Sequence, residues 1–199
     1  QALKTMATQM QIAGGIITGA LTATIYQAAE AGDRLDDLSK STGITATELS
    51  RLGYAAEQNG ASLEQMANGL KVLYAKMGDA RSGLKEAQDA FNQLKISWQN
   101  LDGSLKSGSQ IIPEIAEKIS LMRNETEQLG LASELFGRKA GPDLLPMLQL
   151  GAGGIRDLAD EADRLGITMD SVQAKTLGDF NDALTALKGS MAGLLRTAI

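Results

Sequence analysis

The stretch LFGRKAGPDLLPMLQLGAGG, from Leu135 to Gly154, decides how this chain folds. It holds two of the three prolines and five of the 22 glycines in the 199 residues, and these surround a run of leucines. Proline interrupts a helix because it lacks the backbone N–H, and glycine ends helices because it adopts left-handed backbone angles. The stretch therefore predicts a corner between short helices at which the chain reverses.

The predicted corner has three joints. Gly137 ends one helix, Gly141–Pro142 ends a connector and begins the next helix, and Pro146 with Gly151 keeps that next helix short. The residues expected to be buried as the helix turns back are Leu144, Leu145, Met147 and Leu148. The residues proposed to form this structural corner are Leu135, Phe136, Gly137, Gly141, Leu144, Leu145, Pro146 and Gly151.

The composition of the whole chain favours helices. Hydrophobic residues make up 43% of the chain but aromatic residues only 4%, which suits helix packing better than β-sandwiches. The predicted fold class is mainly α, an array of short and long helices in a bundle or extended assembly, with one small β-hairpin near residues 96–106. We divide the chain into a long uncharged N-terminal helix (1–31), a helical region (32–95), the hairpin insertion (96–106), a compact short-helix region with the corner (107–169) and a long heptad-patterned helix (170–199).

The N-terminal segment has no charged residue between Lys4 and Glu30. Apolar and small residues recur at alternating steps of four and three, which predicts a seam for another helix: Met6, Met10, Ala13, Ile17, Ala20 and Thr24. Its glutamines and threonines favour a buried or self-associating helix. The uncharged length is also compatible with a membrane span, so both interpretations stay open.

Helix boundaries are signalled by a glycine after an apolar repeat or a capping residue before one: Gly43, Thr45 with Glu48, Ser62 with Gln65, Gly78 or Gly83, and Gly166. Ile96 and Trp98 alternate with polar residues ahead of Asp102–Gly103, a pattern that predicts the hairpin. Pro113 is expected in the first turn of the helix that follows.

The C-terminal segment carries the most regular heptad pattern. Its apolar residues alternate steps of three and four through three heptads, and they are predicted to form a helix-association seam: Leu177, Phe180, Leu184, Leu187, Met191 and Leu194. The two seams predict self-association through helices.

The residue types present exclude most catalytic chemistry. The chain has no cysteine and no histidine, so it lacks thiol nucleophiles, imidazole bases and the commonest zinc ligands. The densest acidic group interleaves with an apolar helix face and is expected to face water: Asp157, Asp160, Glu161 and Asp163. The GAGG run at Gly151–Gly154 lacks the Lys-Ser/Thr ending of a phosphate loop and is expected to be a hinge. We predict no catalytic residue, no cofactor, no metal site and, at a net charge of −5, no specific nucleic-acid binding.

Four segments resemble, in the same order, the tail tape-measure proteins of long-tailed bacteriophages and prophages. They are the short capped helices of Asp33–Leu70, the hairpin sequence AFNQLKISWQNLDGSLKS (Ala90–Ser107), the LFG…LLP stretch ASELFGRKAGPDLLPMLQLGAGGIRDLADEADRLGI (Ala132–Ile167) and the helix FNDALTALKGSMAGL (Phe180–Leu194). The chain departs from the family pattern in GRKAGPDLLP, where Ala140 precedes the glycine and Pro142 follows it. The resemblance is to a fragment of such a protein.

The resemblance implies a structural, non-enzymatic protein of the virion tail that is assembled in the bacterial cytoplasm and lies in the tube lumen. Its chain length would set the tail length, since a helix advances ~1.5 Å per residue, and it would leave ahead of DNA at infection. The implied partners are the tail tube protein, tail assembly chaperones and tail-tip or hub proteins.

Two other functions compete with this one. A membrane-active helical protein that forms a channel or pore in the host envelope would use the uncharged segment Thr5–Ala29. A helical cell-wall hydrolase would use a lone glutamate such as Glu134, although no second acid is evident in the sequence.

Overall fold

The computed structural model describes residues 19–197, with side chains from 26 to 187. Eight α-helices make up most of this part of the chain, and the mainly α fold class is confirmed. They are α1 (Gly19–Thr42), α2 (Ala46–Glu57), α3 (Leu63–Arg81), α4 (Lys85–Leu94), α5 (Gly108–Ser120), α6 (Glu125–Leu148), α7 (Gly151–Arg164) and α8 (Ser171–Thr197).

The helices form two connected parts. Helices α2 to α7 pack into a bundle, in which α3 lies against α6 and α7 lies against α5 and α2. Helices α1 and α8 pack along each other more extensively than any other described pair and touch the bundle less. We call them the α1–α8 pair.

The two helices of this pair run antiparallel. Asp33 accepts a 2.9 Å hydrogen bond from the Asn181 side chain, whereas Asp36, three residues later on α1, has its carboxylate near Gly178, three residues earlier on α8. The chain therefore enters the bundle along α1 and leaves it in the opposite direction along α8.

Aliphatic side chains from all eight helices form a single core. Leucine, isoleucine, methionine and alanine dominate it, and Phe91 and Phe136 are its largest fully buried side chains. A core of this composition is built from amphipathic helices, each of which buries the stripe that its sequence repeat predicts.

The predicted helix boundaries mostly agree with the structure. The Ser62 hydroxyl accepts from the Gln65 N–H and the Gln65 side chain accepts from the Ser62 N–H, which completes a capping box at the start of α3. The glycines after α1, α3 and α7 have positive φ, as expected of helix stops: Gly43, Gly83 and Gly166. Of the two breaks considered after residue 77, the one at Gly83 is confirmed.

Two predicted boundaries are wrong. Helix α1 continues through Ala31–Gly32 without interruption, so the N-terminal helix does not end at residue 31 but runs to Thr42, just before Gly43. Helix α5 begins at Gly108, so Pro113 lies inside it rather than in its first turn. The proline is tolerated at this position for two reasons. Its ring packs in the buried face of α5, and the carbonyl that it leaves unpaired belongs to Ser109, which is exposed to water.

The predicted hairpin reduces to a single antiparallel bridge between Gln99 and Leu105, and the described residues contain no regular strand. The turn between them is held by polar side chains. Asp102 accepts from the Ser104 N–H at 2.9 Å, and Asn100 donates to the Ser104 hydroxyl at 3.0 Å. These local bonds hold the turn. Strand pairing does not extend beyond the single bridge among the described residues.

Candidate interaction surfaces

Helix α6 bends at Gly137, where the backbone (φ 86°, ψ 156°) leaves the helical region. Residues with a side chain rarely adopt these angles, so the bend depends on glycine. Beyond the bend, Gly141 contacts the first half of the helix so closely that an ideal Cβ would lie 2.5 Å from the Ala132 carbonyl oxygen. The two halves of α6 therefore meet backbone to backbone.

The joint predicted at Gly141–Pro142 is wrong, because both residues lie inside the second half of α6. The helix continues there because Arg138, Pro142 and Pro146 share one exposed face. Each proline lacks the N–H that would bond to the carbonyl four residues earlier, so the carbonyls of Arg138 and Pro142 have no partner in the helix. Both lie on the solvent side, where water satisfies them.

Most other corner residues lie inside the bundle. The structure places Leu135, Phe136, Leu144, Met147 and Leu148 in the core with no exposed surface, while Leu145 is half-buried and Pro146 is exposed. An ideal Cβ on Gly69 of α3 would lie 2.7 Å from the Leu144 side chain, so α3 and α6 cross at a glycine. The corner thus holds two helices in close contact and leaves little of itself for a partner.

An open groove of about 750 Å³ lies beside the bend, between α3 and α6. Val72 contributes exposed apolar surface, Arg138 and Lys139 are exposed cations at the rim, and Gln65 donates to the Asp143 carboxylate. The groove presents a mixture of apolar, basic and acidic surface.

The first residue of the predicted α8 seam, Leu177, contacts α1 at Gly32. Leu177, Phe180 and Leu184 are half-buried and Leu187 is 57% exposed, while the side chains of Met191 and Leu194 lie outside the described residues. On α1, the seam residues Ala20 and Thr24 belong to the helix, but their side chains, together with Met6, Met10, Ala13 and Ile17, lie outside the described residues as well. The partner that the structure gives the C-terminal seam is therefore a helix of the same chain.

The buried carboxylate of Glu48 links three helices. The sequence predicts only a local role for it, in a capping box with Thr45. Glu48 of α2 is 8% exposed, accepts a 2.9 Å hydrogen bond from the Tyr74 hydroxyl of α3 and accepts another from the Ser109 N–H at the start of α5. The Gly108 N–H donates to the Tyr74 oxygen at 2.7 Å. A carboxylate is favourable at a helix N-terminus, so Glu48 caps α5 from another helix.

Only half of the predicted capping box at Thr45 is present, because Glu48 uses its carboxylate on α5. The Thr45 hydroxyl accepts from the Glu48 N–H at 3.2 Å. Burial, and then the neighbouring charge of Glu48, raise the pKa of Tyr74, so that its phenol stays neutral as a donor. Gly108 is needed here, since a Cβ would lie 2.6 Å from the Glu48 oxygen.

Gly151 has a φ of +72° at the junction of α6 and α7, as expected of a hinge, and the rest of the GAGG run forms the first turn of α7. The Ala152 N–H at this turn donates to the Glu117 carboxylate of α5 at 3.2 Å, so a side chain of the protein supplies a cap. In the acidic group on α7, Asp157 and Asp160 are exposed, Glu161 is half-buried and Asp163 forms a two-bond pair with Arg51 of α2.

Glu134, the residue considered for cell-wall hydrolysis, forms an ion pair with Lys76 of α3 at 3.1 Å. It shares a shallow surface depression with Glu127, which itself accepts from Asn124. Within the described residues no group of acidic side chains is arranged to hold a metal ion.

The uncharged segment Thr5–Ala29 lies largely outside the described residues. Among the helices of residues 19–197, none is long and apolar enough to span a membrane.

Comparison with known proteins gives one family. Residues 1–137 match the sequence profile of a family described as phage-related minor tail protein. The match ends at the bend of α6, so the second half of the corner lies beyond it. Searches of curated proteins and of solved structures gave no significant match. Because the match covers 137 of the 199 residues, the chain belongs to the family of phage-related minor tail proteins, a structural component of the phage tail.

Proposed function

We propose that this phage tail protein is a tail tape measure. In this proposal it fills the lumen of the tail tube, its length sets the tail length, and it leaves ahead of DNA at infection. The observation that carries the proposal is the order of four tape-measure-like segments between Asp33 and Leu194 in a chain of the minor tail family.

The physical properties of the chain support this role. Its described part is built from helices, and a helix converts residue number into distance at ~1.5 Å per residue. Its net charge of −5 disfavours binding to the DNA that would follow it through the tube. The proposed partners are the tail tube protein, the tail assembly chaperones, the tail-tip or hub proteins and further copies of the chain.

The test is the length of the tail. In the phage or prophage that encodes the chain, an insertion of about 42 helix-forming residues after residue 199 should lengthen the tail by ~63 Å. Removal of the insertion should restore the original length, and electron microscopy of purified particles measures both.

The control is an insertion of the same size in a tail-tip gene, which should leave the tail length unchanged. Tails of unaltered length with the insertion in this chain would overturn the proposal, while the chain would still be a tail component. Chemical cross-linking of intact tails supplies a second test, because a tape measure should cross-link to the tube protein along the lumen.

A further inference from the structure

We infer that the α1–α8 pair is a mechanical zipper, which separates under tension before the bundle of α2 to α7 opens. The biological use of such a zipper rests on the proposed function, since a chain that lies extended in a tube must open this fold. The inference itself rests on the direction of the two helices and on where their contacts are buried.

The antiparallel pair determines how tension is applied. Asp33 bonds to Asn181 and Asp36 lies near Gly178, so the start of α1 and the end of α8 point away from the bundle on the same side. Tension between the two ends of the chain therefore pulls the helices apart sideways and acts on their contacts one after another. Tension along the helix axes would instead act on all of those contacts together.

Along the described part of α8, burial decreases away from the bundle, whereas on α1 Ala29, one turn beyond Gly32, is fully buried. Ala174 is fully buried, Leu177 and Phe180 are half-buried, and Leu187 is 57% exposed. Among the described side chains, separation from the outer end therefore reaches the exposed Leu187 before the fully buried Ala174, and breaking the more buried contacts exposes more apolar surface to water.

Glycine brings the two helices together near the bundle. A Cβ on Gly32 would overlap the Cβ of Leu177, and Gly178 would place a Cβ 3.5 Å from the Cα of Asp33. Beyond this crossing, the pair is joined to the bundle in two ways. Leu35 and Ala174 are buried in the common core, and the ion pair of Arg34 with Glu64 and a 3.2 Å bond from the Met169 N–H to Ser50 add polar links. Separation of the pair withdraws Leu35 and Ala174 but leaves the contacts of α2 to α7 with one another in place.

Single-molecule pulling on the full chain tests the inference. The chain has no cysteine, so handles attach uniquely at Gln1→Cys and Ile199→Cys. We expect two steps, of which the first, at the lower force, releases α1 (24 residues) and α8 (27 residues) and lengthens the chain by about 180 Å at ~3.5 Å per extended residue.

The matched geometry uses handles at Gln1→Cys and Asp170→Cys, the latter just before α8. Tension then acts along the pair, and the first opening should need a several-fold higher force. Equal forces in the two geometries, or opening of the bundle before the pair in the end-to-end geometry, would overturn the inference.

Two alanine variants separate the parts. Gly32→Ala should lower the force of the first step and leave the second unchanged, because its Cβ meets Leu177 in the pair. Gly141→Ala should do the reverse, because its Cβ meets Ala132 in the bundle. A Gly32→Ala chain that weakens both steps equally contradicts a separable zipper. Tail length does not enter this experiment, so its failure is distinct from failure of the proposed function.

Discussion

Gly141 lies directly against the backbone of Ala132. A Cβ at position 141 would lie 2.5 Å from the Ala132 carbonyl oxygen and 2.6 Å from the Cα of Ser133. This contact is possible only because the bend at Gly137 folds the second half of α6 back onto the first. Closure of the corner therefore depends on a glycine inside a helix, where alanine would otherwise be the better residue by about 1 kcal/mol.

Gly141→Ala should lower the free energy of unfolding by about 2–3 kcal/mol, because backbone atoms must move to admit the methyl group. Urea unfolding followed by circular dichroism measures this change. Gly130→Ala is the matched control, since Gly130 is in the same helix and has open space around its Cβ position. It should stabilise the protein by about 0.5–1 kcal/mol, and equal effects of the two variants would refute the close contact.

Gly137→Ala should cost about 1–3 kcal/mol, because the φ of +86° and ψ of 156° are strained for any residue with a side chain. The Cβ would also touch Val72 at 3.4 Å. Thermal unfolding provides the measurement, with Gly78→Ala as the comparison because that glycine lies inside α3 with nothing near its Cβ position. If Gly137→Ala behaved like Gly78→Ala, the bend would not be needed.

Tyr74→Phe should destabilise the protein by about 1–3 kcal/mol, because it removes a partner from both the Glu48 carboxylate and the Gly108 N–H. Glu48→Gln should have an effect in the same direction, since an amide is a weaker acceptor for the Ser109 N–H at the start of α5.

A double-mutant cycle on these two positions should give a coupling of at least about 0.5 kcal/mol. Tyr54→Phe is the control, because no hydrogen bond from its hydroxyl is present among the described residues. Additive effects of Tyr74→Phe and Glu48→Gln would show that the bond between them contributes nothing.

Acid should weaken the fold through surface carboxylates that pair with arginine. The hydrogen bonds from Arg51, and then from Thr168, lower the pKa of Asp163, and Arg34 lowers the pKa of Glu64. A lowered folded-state pKa means that the pairs stabilise the fold above the ordinary carboxyl pKa of about 4. That contribution is lost as pH falls through the folded-state value.

Asp163→Asn should therefore cost up to about 1 kcal/mol at pH 7, where solvent screens the pair, and almost nothing near pH 2. Urea titrations at several pH values test this. Asp157→Asn, which removes an exposed carboxylate without an ion pair in the described part of the chain, should show no such pH-dependent difference. A cost for Asp163→Asn that is constant with pH would count against the pairing.

The parts of the fold that the sequence predicted are local ones. The helix stop at Gly83 and the capping box of Ser62 with Gln65 involve residues within one turn of each other, so the printed sequence contains the whole interaction. The bend at Gly137 is of the same kind, because glycine after an apolar repeat is a local signal.

The parts that could not be predicted involve residues distant in sequence. Glu48 contacts Ser109 across 61 positions, and the T-x-x-E pattern favoured a local capping role that its carboxylate does not have. The sequence predicts that Gly141–Pro142 ends a connector, since it does not show that the carbonyls left unpaired by the prolines face water. The heptads of α8 predicted a seam, but not that α1 of the same chain lies along it.

Trp98 gives the molecule an internal optical reporter. It is the single tryptophan, its ring centroid lies 5.4 Å from that of Phe91, and its buried indole N–H has no hydrogen-bond partner among the described residues. An indole shielded in this way emits at shorter wavelength than one in water. Because it belongs to the bundle, a red shift of its emission will report the loss of core packing and remain silent while only the first and last helices separate.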